Sequence, residues 1–389
     1  MKNSPITVSL QLNLLVSNFL GQEVSKSLRI ASGVRVLADI CLVVTNGCDP
    51  DPRVERHARW LVEGGHNVAI FAWDRAHNLD EKTTRNGYTI IRNRIGQKAS
   101  SSSLTILRQK KKFLKSLSGR FDVLIHNDSD SIGTSNLVAT HNILDLHDIA
   151  HAWPVMQKTS FLRRFLSSRM KKQLSKSTSS YDGFFTSSPG LAEYFERHFS
   201  IESTVVLNVR NSNPSPRPRQ KKVGFFGRIR DYDAMVLLIE SCKEIGFSPI
   251  FAGDGPVVDR LINRYPDIDY RGQFDETKLS KMMAEIDVVF AIYNPEKENI
   301  RQGALPVKMF DAAAFGRPTV TTANVPMGDF CLENKLGTVA TFGDVQAVSN
   351  AILGAYELDV VSNHTEETER EKFMTLVESI LGTHLEGSS

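Results

Sequence analysis

Residues 303–320 read GALPVKMFDAAAFGRPTV, and the punctuation of this stretch decides the fold. Pro306 suits a first helical turn, where a missing backbone N–H is no loss. The apolar, Ala-rich run that follows ends at Gly316 and Pro318, a C-terminal stop signal. PTVTT (318–322) then reads as a β-branched strand. Lys308 and Asp311 fall at i and i+3, on one face of the first turn. Backbone N–H groups point outward there and favour an anion. A surface ion pair on an ordinary helix is the alternative reading, and the rest of the chain must choose.

Working outward, strand-like and helix-like segments alternate from residue 38, the signature of parallel α/β architecture. Strands are expected at 40–47, 66–73, 88–95, 121–128, 142–148, 181–188 and 203–209. An amphipathic helix at 52–65 turns Val54, Ala58, Leu61 and Val62 inward. RNSNPSPRPRQKK (210–222) breaks the pattern with Pro, Ser and basic residues and reads as an interdomain linker. A second series follows at 223–229, 248–255, 268–274, 287–293 and 317–322. The expectation is therefore an N-terminal extension (1–37), a first domain (38–209), the linker, a second domain (223–355), and a C-terminal helix and tail (356–389). Two open α/β domains place a cleft between the carboxyl ends of their sheets, where such folds bind ligands.

At 389 residues the chain exceeds one ordinary core. Its 41% hydrophobic and 23% charged content is that of a soluble globular protein, and a net charge of +3 leaves basic surface to local clusters. Cys41, Cys48, Cys242 and Cys331 form neither a CxxC box nor a disulfide framework, which fits the reducing cytoplasm. No run of about 18 apolar residues occurs. ITVSLQLNLLVSNFLG (6–21) is apolar but interrupted and lacks a clear cleavage site; an added element or loose extension suits it better than a signal peptide. HLEGSS (384–389) reads as a polar tail.

Each domain opens with a strand running into a glycine turn: VVTNGCDPDPR at Gly47 and GFFGRIRDYD at Gly227. FAGDGPV (251–257) has the same shape. Glycine lets a backbone approach a phosphate closely, and the next helix supplies N–H groups. Either turn alone is better explained as a tight strand–helix turn with no ligand. Together, GFFGRIR, FAGDGP, YRGQF with DVVFAIY, and ALPVKMFDAAAFGRP resemble, in order and spacing, the donor-binding half of GT-B glycosyltransferases, retaining family 4 (glycosyl transferases group 1). DPRVERHARWLVEGGHNVAIFAWDR and LDLHDI resemble the acceptor half.

The resemblance, over roughly residues 38 to 345, implies two Rossmann-like domains facing each other across a cleft. It also implies a nucleotide-diphosphate sugar held chiefly by the second. Arg228, after Gly227, matches a diphosphate-binding arginine; the lysine usual a few residues later is missing, with Arg230 nearby. Lys308 matches a lysine that reaches the diphosphate, with the helix start near Leu305 beside it. Asp311 stands where the family has a ribose-binding glutamate, one methylene longer. The family's other glutamate falls on Gly303. Base recognition would rest on backbone around Gly253, Gly272 and Phe274. From the first domain, Gly47 would approach the diphosphate and His147 the transferred sugar. Asp51, Arg53, Asp145 and Asp148 would lie on the acceptor side, with Asp51 also readable as a helix cap and Arg53 as a salt-bridge partner. The catalytic residues expected are His147, Arg228 and Lys308. Closure about the linker would exclude water.

Charge on a departing diphosphate can be met by cations and helix N-termini, so no metal and no cofactor beyond the co-substrate is expected. DSD (128–130) reads as a polar loop rather than a metal pair. RQKKKFLKSLSGR (108–120) and KTSFLRRFLSSRMKKQLSKS (158–177) contain no acids. In the second, Phe161, Leu162, Phe165, Leu166, Met170 and Leu174 recur at helical spacing between Arg and Lys residues. Such a helix fits either an anionic membrane, at the inner face and presenting a lipid-linked acceptor, or a core-facing helix with a solvated basic face. Nucleic acid is not expected as a partner. The partners expected are a nucleotide sugar and a glycan, lipid-linked or small-molecule acceptor. The rivals are a nucleotide-sugar epimerase on the same fold and a non-catalytic subunit that supports an active transferase.

Overall fold

Buried apolar runs become parallel strands in both halves of the chain in a computed structural model, which describes residues 37–96, 103–133, 135–155 and 160–382. The expected extension (all but Leu37), the 384–389 tail, and the first two residues of the 158–177 cluster lie outside the described residues. Contacts divide the chain into two units. One holds residues up to Phe185, Ile201–Thr204 and Arg370 onward; the other holds Thr186–Ser200 and Val205–Glu369.

In the first unit the strands are β1 (Asp39–Val43), β2 (Asn67–Trp73), β3 (Lys82–Arg85), β4 (Tyr88–Asn93), β5 (Ser118–Asn127), β6 (Asn136–Leu146), β7 (Gly183–Thr186) and β8 (Thr204–Val205). They form one sheet in the order β3-β4-β2-β1-β5-β6-β7-β8. Ile40, Cys41, Leu42 and Val43 of the central β1 are fully buried between parallel neighbours β2 and β5, as a strand covered on both faces requires. Strand β3 is absent from the sequence reading. It pairs antiparallel with β4 through Asn86 and Gly87, both at positive φ, the two-residue Asn-Gly hairpin that a search for parallel repeats passes over.

In the second unit β9 (Lys222–Phe226), β10 (Ser248–Ala252), β11 (Asp269–Tyr270), β12 (Val288–Ala291), β13 (Thr319–Thr322) and β14 (Gly337–Ala340) pair in parallel in the order β11-β10-β9-β12-β13-β14. Counted within the unit this is 3-2-1-4-5-6, the doubly wound dinucleotide-fold order, and its direction reverses between β9 and β12. The last strand, β14, is also unforeseen: GTVA is too short and half-polar to announce itself.

Residues 210–222 have a structure the linker reading did not foresee. Residues 210–221 run in irregular conformation into β9, and contacts group them, with 186–200 and 205–209, into the second unit. The cause is Arg317, wholly buried, whose guanidinium donates to Ser215 O at 2.7 Å, Ser215 Oγ at 2.9 Å and Pro216 O at 3.0 Å. A strap rich in Pro cannot satisfy its carbonyls in a ladder, so a buried donor fork does it instead.

Candidate functional site

The helix Val307–Ala314 carries the residues from which the sequence argument started. Pro306 sits at its N-cap with extended backbone, one position before the first turn expected for it. The helix ends as predicted. Gly316 adopts φ +70°, with Arg317 N donating to Ala312 O and Gly316 N to Ala313 O, the paired bonds of a Schellman stop. Met309, Phe310 and Ala312 to Ala314 are buried, and each large side chain among them contributes about 1.5–3 kcal/mol. That packing fixes the helix axis and aims Lys308 back over the sheet.

Lys308 Nζ lies 3.4 Å from the Phe225 ring centroid and 5.5 Å from that of Tyr293. Phe225 belongs to β9 and Tyr293 follows β12, so the ammonium stands at the reversal of strand order, where ligands of this architecture bind. Burial pushes the Lys308 pKa down to about 7; Asp311 opposes the shift and Arg230 adds to it. A Cβ on Gly227, which has φ +135°, would stand 3.7 Å from Lys308 Nζ, so glycine there keeps the space before the lysine open.

Three loops stack at the carboxyl ends of β9, β10 and β11. Gly227 N donates to Ala252 O, Ile229 N to Asp254 O, and Gly253 N to Gly272 O. A Cβ at Gly253 would meet Gly227 O at 1.8 Å. Phe274 packs edge-on to Phe226 beside them. Arg228 is half exposed, 3.4 Å from Asp254 Oδ2, and Arg230 is exposed. Leu305 is buried in the apolar cluster around Met309, so its side chain faces away from any polar ligand.

Two positions differ from expectation. Asp311 accepts a bond from Arg210 Nε at 2.8 Å, a partner supplied by the strap that the linker reading had set aside. Gly303 lies backbone to backbone with Gly190: a Cβ there would come within 2.6 Å of Gly190 Cα, and φ is +100°. No side chain fits, which explains why the second carboxylate is missing.

In the first unit the strand order reverses between β1 and β5, and there a cavity of about 180 Å³ opens. His147, following β6, lines it together with Thr45, Asn46, Asp51, Asn127 and Asp128. His147 Nε2 lies 3.0 Å from Asp128 Oδ2, while Asp128 Oδ1 accepts the backbone N–H groups of His147 and Asp148. Burial alone would lower the His147 pKa, but the carboxylates of Asp128 and Asp145 outweigh it and push it up. Asp51 caps the helix Pro52–Glu63 by accepting from Val54 N.

Arg53, for which acceptor binding and a salt bridge were both open, makes the salt bridge; its partner is Asp145, expected on the acceptor side, and both are buried. Arg53 Nε and Nη2 each lie 2.8 Å from Asp145, which has no exposed surface. Burial alone would raise the Asp145 pKa; the paired bonds from Arg53 hold it well below the usual carboxylate range. They brace His147, whose Nδ1 is 3.9 Å from Asp145, from behind. Asp148 accepts from Trp153 Nε1 at 2.8 Å, and Gly47 has its carbonyl held by Arg92 Nε at 2.7 Å. Asp128 and Asp130, read as a polar loop, line the cavity. The available signal was their position after a strand end, opposite the Gly47 turn. Among the described residues no group of three His, Cys, Asp or Glu side chains is arranged to hold a metal ion.

Residues 220–357, which contain the loops, Lys308 and Asp311, match the family model described as glycosyl transferases group 1. This stretch is a group 1 glycosyltransferase domain. The described residues have the GT-B fold, with its two Rossmann-like units. Sucrose-phosphate synthase from Thermosynechococcus elongatus superposes with a TM-score of 0.64 at 14% identity, over 89% of this chain and 96% of that one. HepE of Anabaena, solved with UDP and glucose, gives 0.56 at 13% identity over 89% and 99%. A TarM variant of S. aureus, solved with UDP, gives 0.57 at 12% identity over 89% and 99%. No curated protein matches the chain. In the glycosyltransferase domain the expected Gly227, Arg228, Gly253, Gly272 and Lys308 come together around the strand-order reversal, while the Leu305 side chain is buried in the apolar cluster of Met309.

Proposed function

We propose that this protein transfers a sugar from a nucleotide-diphosphate donor to a hydroxyl-bearing acceptor, with retention and without a metal ion. The observation that carries the reading is Lys308, held over Phe225 at the strand-order reversal of a group 1 glycosyltransferase domain, before a glycine turn. In this reading Lys308 and Arg228 meet the charge that builds on the departing diphosphate, each positioned donor contributing about 3 kcal/mol. Asp311, steadied by Arg210, takes the ribose hydroxyls. His147 keeps its proton beside Asp128 and donates to the transferred sugar. The buried Arg53–Asp145 pair fixes the ring that does so.

The acceptor reading extends to a membrane surface. Helix Phe161–Ser177 leaves Phe161, Leu162 and Phe165 exposed, with Arg164, Arg169, Lys171 and Lys172 exposed beside them. That combination suits an anionic leaflet and a lipid-linked acceptor on the cytoplasmic side. Among the described residues no helix is long and apolar enough to cross a membrane.

The test is a thermal-shift and calorimetric screen against UDP, GDP, ADP, CMP and dTDP, with Lys308→Ala alongside. Selective stabilisation by one diphosphate, lost in the variant, supports the donor site and names the base. No response to any nucleotide refutes it. A second reading, a non-catalytic subunit, is favoured by the Gly303–Gly190 contact, which leaves the domain one carboxylate short; it predicts that null screen.

A further inference from the structure

A second lysine reaches the crevice of the glycosyltransferase domain, from a loop that the proposed function does not use. Lys297 follows β12 and sits at the N-cap of the short helix Glu298–Arg301. Its Nζ stands 2.6 Å from Asp231 Oδ2, and Asp231 lies beyond the Gly227 turn that ends β9. β9 and β12 are the neighbouring strands between which the order reverses. The ion pair therefore joins the two loops at the carboxyl ends of those strands, where a ligand of this architecture enters.

Charge explains why a lysine is useful there. Asp231 caps helix Tyr232–Glu244, its Oδ1 accepting from Ala234 N at 3.3 Å. Burial raises the Tyr293 pKa and lowers that of Lys308, and the Arg230 guanidinium acts electrostatically on both. The loop that carries Arg230 and Asp231 thus lies beside the lysine that was assigned to the diphosphate. An uncompensated carboxylate in that loop would repel phosphate. Asp254 is answered by Arg228, Asp311 by Arg210, and Asp231 by Lys297.

The pairing leaves the lysine able to do more. A carboxylate oxygen takes one N–H of an ammonium that has three. The Lys297 side chain is 35% exposed, so the remaining donors can reach a ligand. Its backbone is held on both sides, with Lys297 N donating to Asn294 O at 3.2 Å and Arg301 N donating to Lys297 O at 3.0 Å. Asp231 holds the flexible end, so a ligand orders one long side chain fewer on binding.

We propose that Lys297 is a further phosphate-binding residue, which holds the nucleotide diphosphate from the β12 side of the crevice, with Asp231 as the residue that positions it. The inference rests on the glycosyl-transfer reading and goes beyond it, adding a cation from a loop which that reading leaves idle. Donors fixed before charge develops on a leaving group stabilise it without reorganisation, and the Asp231 contact supplies that fixing.

The experiment is calorimetry on the full chain, using the nucleoside diphosphate selected by the panel above and its parent nucleoside. Lys297→Met should raise the diphosphate Kd about tenfold and leave the nucleoside Kd unchanged. Its melting temperature should move by no more than about 2 °C, since a partly exposed ion pair contributes little to stability. Lys297→Arg, which keeps the charge, should bind within about threefold of the parent. Asp231→Asn keeps the helix cap and separates ligand contact from charge cancellation. In that background Lys297→Met should still cost about tenfold. A loss that vanishes there means that Lys297 only cancels Asp231, and overturns the inference. Equal losses for nucleoside and diphosphate, or an unchanged diphosphate Kd in a folded variant, also overturn it. If Lys297→Met melts early, Lys297→Gln, which still donates to Asp231, takes its place with the same loss expected. If Lys308→Ala abolishes diphosphate binding while Lys297→Met leaves it intact, the inference falls and the proposed function stands. If the parent binds no diphosphate, the proposed function falls and takes the inference with it.

Discussion

Raising the pH from 7 to about 9 should weaken nucleotide-diphosphate binding in a way traceable to one lysine. Burial against Phe225 and Tyr293 brings the Lys308 pKa down to about 7, from about 10.5 for a free side chain. A diphosphate beside the amine restores the cation, so above pH 7 each binding event takes up one proton. Kd then rises about tenfold per pH unit, about 1.4 kcal/mol each, until the bound-state pKa is reached. The phosphate's own second ionisation, near 6, is complete below this window. The unliganded protein should show the opposite trend. Between about 7 and 10.5 the unfolded chain binds more protons at this lysine than the folded one, so its contribution to stability grows as pH rises through that window. Calorimetry in two buffers of different ionisation enthalpy measures the proton uptake directly, and melting scans measure the second trend. A Kd that stays constant from pH 7 to 9, or a slope that survives in Lys308→Met, would refute the assignment of this amine to the diphosphate.

Three further outcomes follow from the packing. Arg53→Met strands the buried Asp145 carboxylate and should cost about 3–5 kcal/mol in urea unfolding at pH 7. The gap from the parent should narrow as pH falls toward 4, because the stranded carboxyl can then protonate, whereas the parent's lowered pKa keeps it ionised. Gly303→Glu, which restores the family's carboxylate, should lower the melting temperature by several degrees and give no gain in nucleotide affinity, since its Cβ collides with Gly190; a tighter-binding, stable variant would show that the loop yields. Arg317→Met removes the donors that hold Ser215 and Pro216, and limited proteolysis should then cut within 210–222, where the parent resists.

The sequence alone determined the alternation of apolar runs with glycine stops, and hence a parallel α/β chain in two halves. It also marked the residues around Lys308, because a helix stop such as Gly316–Pro318 and a Gly-terminated strand are local chemistry, legible in a few letters. Asp51 as a cap was local in the same sense. The tertiary structure alone decided which distant residues share a site. Asp128 meets His147 from 19 positions away and Arg210 meets Asp311 from 101, pairings no periodicity encodes. It turned the composition-based linker into a strap, because a buried arginine 102 residues away completes its hydrogen bonds. It also buried Arg53 and Asp145 as a pair behind His147, since burial depends on residues that the fold brings around them. The asymmetry is physical: stops, caps and strand pattern depend on neighbours a few residues away, while charge pairing and burial depend on residues that only the completed fold brings within 4 Å.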